Sequence, residues 1–474
     1  MENRRITLVT NVSLNTLLTP VDGRERAAVL FIAGIAETTD SIELFCPRVY
    51  KPREDDYHAR YPWLCVLKAD ALIANVLEPL GQEQGIVHIH DHGTGPARFS
   101  EIDDRGLDDK LMTTRTRRPG AWFVRGVLGG DGVTLEAYPP ESMAPVPVDF
   151  VKTITASHGL IWTRTLNSRR AEADAPRVDA EIYQRTIAAL GGDPERVLGA
   201  LACTRVGIVG VGGIGSVVAQ LLPHLGIRTL TLVDDDRVER SNRNRWVLYK
   251  TGAEGEPKVI AARERLLEAH PDVQVEGIVA EFPSTEAEAA LKKCDVVICC
   301  PDNNWTRYWA ERFAARHMKV SLSMGSGIDV GPGGLHAIGA QLRAFVPMAG
   351  GRCAVCQGMD ISNLSPPAVE RLHRQTGYTV ARSVVTINSA IASVAAGWLF
   401  AWFSGRERAM PTYLEYDEIA FSIRNLGQVF EPQSGCHICG AGPACMVGRG
   451  DEADDCGDLL TSPEIAEAVH GTLD

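Results

Sequence analysis

The stretch VGIVGVGGIGS (residues 206–216) constrains the fold of this chain more than any other segment. An apolar run typical of a strand precedes its glycines, and a run typical of a helix, GSVVAQLLPHLG, follows them. In such a loop, backbone N–H groups and the N-terminus of the helix can hold phosphate. Strand-like and helix-like runs alternate from about residue 180 onwards, which predicts a Rossmann-like α/β domain with a mostly parallel sheet.

An acidic residue follows the glycine loop where nucleotide-binding domains hold a ribose. Asp234 ends the next strand-like run, TLTLVDDD. An NAD-dependent oxidoreductase carries the same arrangement, so the glycine loop and Asp234 alone leave that function open.

The residues beyond Asp234 favour a different reaction, the adenylation of a carboxylate. That reaction needs cations beside the triphosphate and the departing pyrophosphate, and a carboxylate for magnesium. Hydride transfer has no use for so many charged groups there. The candidates for the nucleotide site lie in DDDRVERSNRNRW, GEPKV and DVVICCPDN, and they are Asp236, Ser241, Asn242, Arg245, Lys258, Asp302 and Asn303.

These motifs resemble the ThiF/MoeB/ubiquitin-activating family over residues from about 180 to 440. The family's GxGGxG loop is matched by Gly210, Gly212, Gly213 and Gly215. Its DxDxVxxSNxxR block is matched by the run from Asp234 to Arg245, and its GxPK and TDN motifs are matched by Lys258 and Asp302.

The resemblance implies an adenylating enzyme with ATP and Mg²⁺ as cofactors. It implies that Asp234 binds the ribose, that Arg245 and Lys258 bind the phosphates, and that Asp302 holds magnesium. Upstream, IYQRTI resembles the family's RYxRQ segment, and Arg185 within it corresponds to an arginine that reaches the ATP of the partner subunit. A homodimer follows from that resemblance.

Two CxxC pairs predict a structural zinc site, and the family carries such pairs at comparable positions. They are Cys353, Cys356, Cys436 and Cys439. Family members that form a thioester usually carry a cysteine after the first pair, whereas QGMDISNLSPPAVERLHRQTGYTVARSVV contains none. Cys445 or Cys456 in the tail could still carry a thioester, although nothing nearby in the sequence lowers a thiol pKa. Core positions are predicted for Cys294, Cys299 and Cys300.

The N-terminal region carries a second set of metal-binding residue types, in HIHDHGTGPARFSEID (residues 88–103). His88, His90 and His92 alternate along a predicted strand and can therefore share one face. Packing histidines, or a helix cap formed by Ser100 and Asp103, would explain the same residues without a metal.

The spacing H-x-H-x7-S-x2-D from His90 resembles the JAB/MPN (JAMM) metalloprotease motif. The resemblance implies that His90, His92 and Asp103 hold a catalytic zinc with an open position for water, and that Ser100 stabilises the oxyanion. A glutamate from an earlier strand acts as the base in that family. Glu25 in ERAAVLFIAG takes that place, with Glu37 as the alternative, and two alanines replace the glycines usual after the glutamate.

Together these patterns predict four regions in an α/β protein. They are a JAB/MPN-like zinc peptidase domain (1–165), a linker (166–180), a Rossmann-like adenylation domain (181–440) and a flexible tail (441–474). The interpretation is a bifunctional enzyme of a prokaryotic ubiquitin-like or sulfur-carrier pathway. One domain cleaves after the carrier's tail and the other adenylates its C-terminal glycine. A separate conjugating enzyme is a further expected partner. An activating enzyme whose JAB-like domain only binds the carrier remains the alternative.

Composition narrows the partners and the compartment. A net charge of −12 without a Lys/Arg-rich patch predicts no nucleic-acid partner. The N-terminus lacks a signal-peptide pattern and the CxxC pairs suggest metal rather than disulfides, so a reducing, cytoplasmic location is expected. The uncharged stretch 383–404 is long enough to span a membrane, but its polar residues favour a buried helix.

Overall fold

A computed structural model of the chain gives the fold. It describes residues 4–18, 23–61, 64–156, 158–169, 179–190, 193–348, 351–361, 364, 382–405, 410–440 and 445–451. Most of the predicted linker (166–180) and most of the predicted tail (441–474), including Cys456, lie outside the described residues. So does most of the cysteine-free stretch 357–385 that follows the first CxxC pair.

Two sheets and a hairpin form the N-terminal half. Its strands are β1 (Arg5–Thr10), β2 (Ala27–Ile32), β3 (Gly34–Glu37), β4 (Ser41–Cys46), β5 (Arg48–Tyr50), β6 (Tyr57–Tyr61), β7 (Leu64–Leu67), β8 (Gly85–Asp91), β9 (Trp122–Gly129), β10 (Gly132–Tyr138), β11 (Val146–Pro147), β12 (Phe150–Ile154) and β13 (Leu160–Arg164). Its helices are α1 (Leu14–Leu18), α2 (Ala69–Leu72), α3 (Glu78–Leu80), α4 (Glu101–Arg105) and α5 (Leu107–Arg117), and a π-helical turn (Ile73–Leu77) joins α2 to α3.

The two N-terminal sheets share one core. The six-stranded sheet has the order β11-β10-β9-β8-β2-β5, and the five-stranded sheet has the order β13-β12-β1-β4-β3. Because strand residues alternate between faces, Leu30 of β2 packs toward the five-stranded sheet while Phe31 packs with Leu80 and Leu111 of the helices. Outside these two sheets, β7 pairs with β6 as a separate antiparallel hairpin.

The C-terminal half is built around one eight-stranded sheet. Its strands are β14 (Arg205–Val209), β15 (Thr229–Val233), β16 (Gln274–Ile278), β17 (Val296–Cys299), β18 (Val320–Gly331), β19 (Gly334–Phe345), β20 (Tyr413–Asp417) and β21 (Ser422–Asn425). Its helices are α6 (Gln184–Leu190), α7 (Pro194–Cys203), α8 (Gly213–Leu225), α9 (Lys258–Ala269), α10 (Thr285–Leu291), α11 (Asn304–Arg316) and α12 (Val385–Ser404), with a 3₁₀ turn (Arg240–Asn244).

The order of this sheet confirms the predicted Rossmann-like arrangement. The strands run β16-β15-β14-β17-β18-β19-β20-β21, and the pairs among the first five are all parallel. The last three strands are added antiparallel, so the sheet is mixed. The order reverses direction at β14, and a crevice opens beside that strand where α/β sheets bind ligands.

Helix α12 is long and apolar enough to cross a membrane by length and composition alone. In this structure it packs against α8 and the strands β18 and β19, and Ile391, Ala395 and Trp402 are fully or almost fully buried. This packing agrees with the predicted buried helix.

The five-stranded sheet joins the two halves through one continuous core. Phe45 and Ile154 pack in the same apolar cluster as the strands of the eight-stranded sheet. Residues 445–451, here called the C-terminal strap, run beside β3, where Gly450 forms a parallel bridge with Ile35. The carboxylate of Asp451 also lies 2.7 Å from Lys292 Nζ in the C-terminal half.

Candidate functional site

A cavity of about 1250 Å³ opens at the carboxyl ends of β14, β15 and β17. It collects the predicted nucleotide-site residues from four separate segments of the chain. Those that line it are Gly210, Gly212, Gly213, Asp234, Asp236, Asn242, Arg245, Lys258, Asp302 and Asn303. Ser241 does not line it, but its carbonyl oxygen accepts a hydrogen bond from the Arg245 guanidinium at 2.8 Å.

The glycine loop needs its glycines for two different reasons. Gly210 has φ +84°, a left-handed conformation that residues with a Cβ rarely adopt. Gly215 does not line the cavity; it lies in α8, where a Cβ would collide with the carbonyl oxygen of Gly210. Close packing of helix on loop therefore directs the N-terminus of α8 into the cavity, and such a terminus favours phosphate.

Asp234 stands at the end of β15 with its carboxylate held by backbone groups. The N–H groups of Val211 and Asp236 donate to it at 2.6 and 2.9 Å. Burial raises the pKa of Asp234 to about 6, against the opposing effect of nearby Lys258. A carboxylate fixed in this way is suited to accept hydrogen bonds from ribose hydroxyls.

Cationic and polar groups surround the rest of the cavity. Lys258 begins α9, and its Nζ lies 2.6 Å from the Asp236 carboxylate. Asn303 caps α11 by accepting the N–H of Thr306 at 2.8 Å, and Asp302 beside it is exposed to the cavity. Carboxylate and phosphate oxygens are ligands that Mg²⁺ prefers, and Asp302 offers such a carboxylate at the cavity.

Several residues in and around the cavity were not among the predicted site residues. Trp246 is buried and does not line the cavity, but its indole N–H donates to the carbonyl oxygen of Val211 at 2.8 Å and so anchors the glycine loop. Arg307 donates to the carbonyl oxygens of Pro301 and Met324 at 2.5 and 3.1 Å. Other lining residues come from the last third of the chain, namely Ser326, Arg382, Ser383, Asn388, Glu415 and Arg424. Only tertiary packing brings these residues to the site.

Arg185 is the one predicted catalytic residue of this half that does not reach the cavity of its own chain. It lies exposed on α6 and is absent from the cavity lining.

The four CxxC cysteines converge as predicted. The Sγ atoms of Cys353 and Cys436 are 3.6 Å apart, and those of Cys356 and Cys439 are 3.5 Å apart. Thiolates around a tetrahedral zinc, at about 2.3 Å each, are separated by about 3.8 Å. The cysteine cluster therefore fits zinc in both ligand type and spacing.

The cysteines outside this cluster differ in how deeply they are buried. Cys294 and Cys299 are buried in the core, as predicted. Cys300 is only partly buried and lines the cavity, and burial raises the pKa of its thiol to about 12. Cys445 lies in the C-terminal strap, and burial raises the pKa of its thiol as well.

The N-terminal half brings together a second metal-type cluster. The Nε2 atom of His90 lies 3.2 Å from His92 Nε2 and 3.0 Å from an Asp103 carboxylate oxygen. Neighbouring ligands of a tetrahedral zinc at about 2.0–2.1 Å are roughly 3.3 Å apart. His88 is not part of this cluster of three residues. The set His90, His92 and Asp103 therefore fits zinc and offers three ligands.

Glu25 precedes β2 and points at this cluster. Its Oε1 atom is 4.0 Å from His92 Nε2. Burial, then the negative charges of Asp103 and Asp91, raise the pKa of Glu25 to about 7. Glu37 lies instead in β3 and pairs with Arg4. The structure therefore places Glu25, and not Glu37, beside the cluster.

Of the two roles predicted for Ser100, helix cap and oxyanion stabiliser, the structure shows the cap. Ser100 caps α4, because its hydroxyl accepts the N–H of Asp103. The same hydroxyl donates to Asp103 Oδ2 at 2.8 Å, and the Ser100 N–H donates to that oxygen at 2.7 Å. Burial alone would raise the Asp103 pKa, but the hydrogen bonds from His90 and Ser100 hold it well below its usual range. The carboxylate is therefore ionised and oriented.

The fold and the cavity define a Rossmann-type nucleotide-binding protein. The family model described as "ThiF family" matches residues 183–438, and the chain belongs to that family.

The chain is 29% identical to the molybdopterin-synthase adenylyltransferase of Escherichia coli (strain K12), over 51% of this chain and 89% of that protein. It is 30% identical to the sulfur carrier protein ThiS adenylyltransferase of the same strain, over 52% and 89%. A shorter match, 38% identical over 23% of this chain and 41% of the relative, is to the SAMP-activating enzyme E1 of Haloferax volcanii. Among solved structures, E. coli MccB aligns with a TM-score of 0.45 and 18% identity, over 56% of this chain and 73% of that one.

Proposed function

We propose that this chain activates a ubiquitin-like or sulfur-carrier protein by adenylating its C-terminal glycine with ATP. The convergence of the glycine loop, Asp234, Arg245, Lys258 and Asp302 on one cavity carries this proposal. The adenylyltransferase names of the relatives, which match over 89% of their length, support it.

In the reaction, a carboxylate oxygen of the terminal glycine attacks the α-phosphorus of ATP. The bond from that phosphorus to the bridging oxygen breaks and pyrophosphate leaves, which yields an acyl-adenylate. Asp234 would hold the ribose, and Arg245 and Lys258 would stabilise the charge of the departing pyrophosphate. Magnesium, held by Asp302, would neutralise phosphate charge when bound.

Exchange of labelled pyrophosphate into ATP tests this activity. The substrates are the sulfur carrier ThiS and candidate carriers ending in glycine, each also prepared without its last glycine. Carrier-dependent exchange is expected, with loss of about 10²-fold or more in Lys258→Ala. Lys250→Ala is the matched control, because Lys250 is a surface lysine paired with Glu268. Exchange that needs neither the glycine nor Lys258 would contradict the proposal.

A homodimer with shared sites is part of the proposal, because Arg185 lies outside the cavity of its own chain. Mixed dimers of Arg185→Ala and Lys258→Ala chains test it. If Arg185 serves the partner's site, one site in each mixed dimer is complete and activity returns. Two inactive variants that stay inactive after mixing would contradict an arginine acting between subunits.

We propose a second activity for the N-terminal half, zinc-dependent cleavage after the carrier's tail, for maturation or deconjugation. The observation that favours it is the three-ligand cluster with Glu25 beside it. Zinc would supply a water of lowered pKa at its open position. Glu25 would take the proton of that water and give it to the leaving amine, so that water adds to the carbonyl and the C–N bond breaks.

Zinc content separates this activity from the alternative of a purely carrier-binding JAB-like domain. We expect about two zinc ions per chain, falling to about one in His90→Ala/His92→Ala. The control is His224→Ala/His270→Ala, a histidine pair with rings 4.7 Å apart. A content near one that the first variant leaves unchanged would contradict the N-terminal zinc site.

The proposal also covers the location of the enzyme and its partners. We place the enzyme in the cytoplasm without a membrane or nucleic-acid partner. Any thioester relay is assigned to a separate conjugating enzyme, because the pKa of the Cys300 thiol and that of the Cys445 thiol are both raised by burial.

A further inference from the structure

Asn388 is a buried polar residue on the otherwise apolar helix α12. Its exposed fraction is 1%, yet it also lines the nucleotide cavity. Burying an amide is costly unless its donor and acceptor are both used. A hydrophobic residue would pack there without that cost, which points to a role of the amide at the neighbouring cavity.

The two ends of the amide tie separate segments of the chain together. Its Nδ2 group donates to the hydroxyl of Ser383 at 2.9 Å, just before α12 begins. Its Oδ1 atom accepts from the hydroxyl of Ser326 in β18 at 3.2 Å. Both serines line the cavity as well. Since hydroxyls both donate and accept, the side-chain amide is satisfied at both ends.

The same amide stands against the glycine loop. A Cβ on Gly213 would collide with Asn388 Nδ2 and would lie 3.6 Å from the hydroxyl of Ser383. Gly213 is the first residue of α8, the helix whose N-terminus faces the cavity. Asn388 thus contacts the phosphate-binding end of α8 and connects it to β18 and to the start of α12.

We infer that Asn388 is a positioning residue for adenylation, an inference that rests on the proposed function. It sets the place of Gly213, and hence of the bound phosphates, relative to β18 and the start of α12, which line the same cavity. A misplacement of about 1 Å between attacking and attacked atoms can cost about 10²-fold in rate. Asn388 therefore acts on the rate of adenylation more than on the affinity for ATP.

Separate measurements of ATP binding and pyrophosphate exchange test this role. In Asn388→Ala we expect the exchange rate to fall about 10- to 100-fold, while the Kd for ATP stays within about threefold. Thr386→Ala, an exposed position on the first turn of the same helix, is the control and should keep both values. An unchanged exchange rate, or a loss of ATP binding equal to the loss of rate, would overturn the inference.

A double-mutant cycle on the Kd for ATP tests the contact with Gly213. Gly213→Ala places a methyl group where the Asn388 amide stands, and Asn388→Ala removes that obstacle. Gly213→Ala should therefore weaken ATP binding less in the Asn388→Ala background than in the wild type. Additive effects would overturn the contact argument. If the wild type shows no exchange at all, the proposed function fails, while this cycle still reports on the contact.

Discussion

Lys152 and Asp295 form a buried ion pair between the two halves of the chain, with Lys152 Nζ 3.0 Å from Asp295 Oδ1. The same ammonium group lies 2.7 Å from Glu43, and the buried Lys319 lies 3.6 Å from Glu43. Two cations and two anions therefore meet inside the junction. Unlike a flexible linker, this junction fixes the orientation of the two halves.

Lys152→Met should lower the free energy of unfolding by about 3–5 kcal/mol, because the buried Asp295 loses its ammonium partner and Glu43 keeps only Lys319. Urea unfolding measures the change. The control is Arg265→Ala, which breaks an exposed ion pair with Glu268 and should cost less than about 1 kcal/mol. Equal effects of the two variants would show that the buried pair contributes little.

Stability should also fall in acid through Glu43. Burial alone would raise its pKa, but Lys152 and Lys319 lower it to about 2, from an ordinary value of 4.5. A carboxyl with a lowered folded pKa stabilises fully above the ordinary value and loses that contribution as the pH falls toward the folded pKa. The free energy of unfolding should thus decline between pH 4.5 and about 2. Glu43→Gln, less stable at pH 7, should show a shallower decline there; an equal slope would contradict the assignment.

Gly215→Ala should weaken ATP binding by at least about tenfold, because the new Cβ would push Gly210 out of the phosphate loop. Gly397→Ala is a matched control, since that glycine lies exposed on α12 with no atom within 4 Å of a new Cβ. The control should bind ATP normally. Calorimetry with ATP measures both, and normal binding by Gly215→Ala would contradict the close-packing role.

Cys436→Ser should remove about one zinc ion per chain and lower the temperature of thermal unfolding, because one ligand of a closed four-thiolate site is lost. Cys445→Ser serves as the control: Cys445 follows the second CxxC pair but is outside the cluster of four. A chain that keeps all its zinc after Cys436→Ser would rule out the tetracysteine site.

Glu25→Gln should lower the rate at which a carrier with an extended tail is cleaved by about 10²-fold or more. Zinc should stay bound, because the change removes the proton acceptor and leaves the three metal ligands in place. Glu37→Gln should retain cleavage, since Glu37 lies in the other sheet. Product masses after incubation with each variant decide the question, and normal cleavage by Glu25→Gln would exclude it as the base.

The sequence predicted those parts of the protein that are local in the chain. The order strand, glycine loop, helix and Asp234 defines a Rossmann unit because each piece forms from adjacent residues. The sequence also predicted that the two CxxC pairs come together, because two such pairs are typical of a shared zinc site. The antiparallel strands after β18 were not predicted, because their pairing depends on contacts between distant segments.

Other features could be read only from the folded chain. Asn388 looked like one polar residue in an apolar run, and its contact with Gly213 arises from the packing of α12 on α8. Lys152 and Asp295 stand 143 positions apart, and no periodicity connects them. By its spacing alone Ser100 could cap a helix or stabilise an oxyanion, and the structure shows a hydroxyl that caps α4 and also donates to the Asp103 carboxylate.

The C-terminal strap has a consequence for synthesis on the ribosome. The backbone N–H of Glu37 in β3 donates a hydrogen bond to the carboxylate of Asp451, a residue that is synthesised 414 positions later. Until then, the outer edge of the first sheet exposes unpaired backbone groups, the kind of edge on which growing chains aggregate. The last described residues thus complete the first sheet, and a ribosome that stops before residue 451 releases a protein with an open edge.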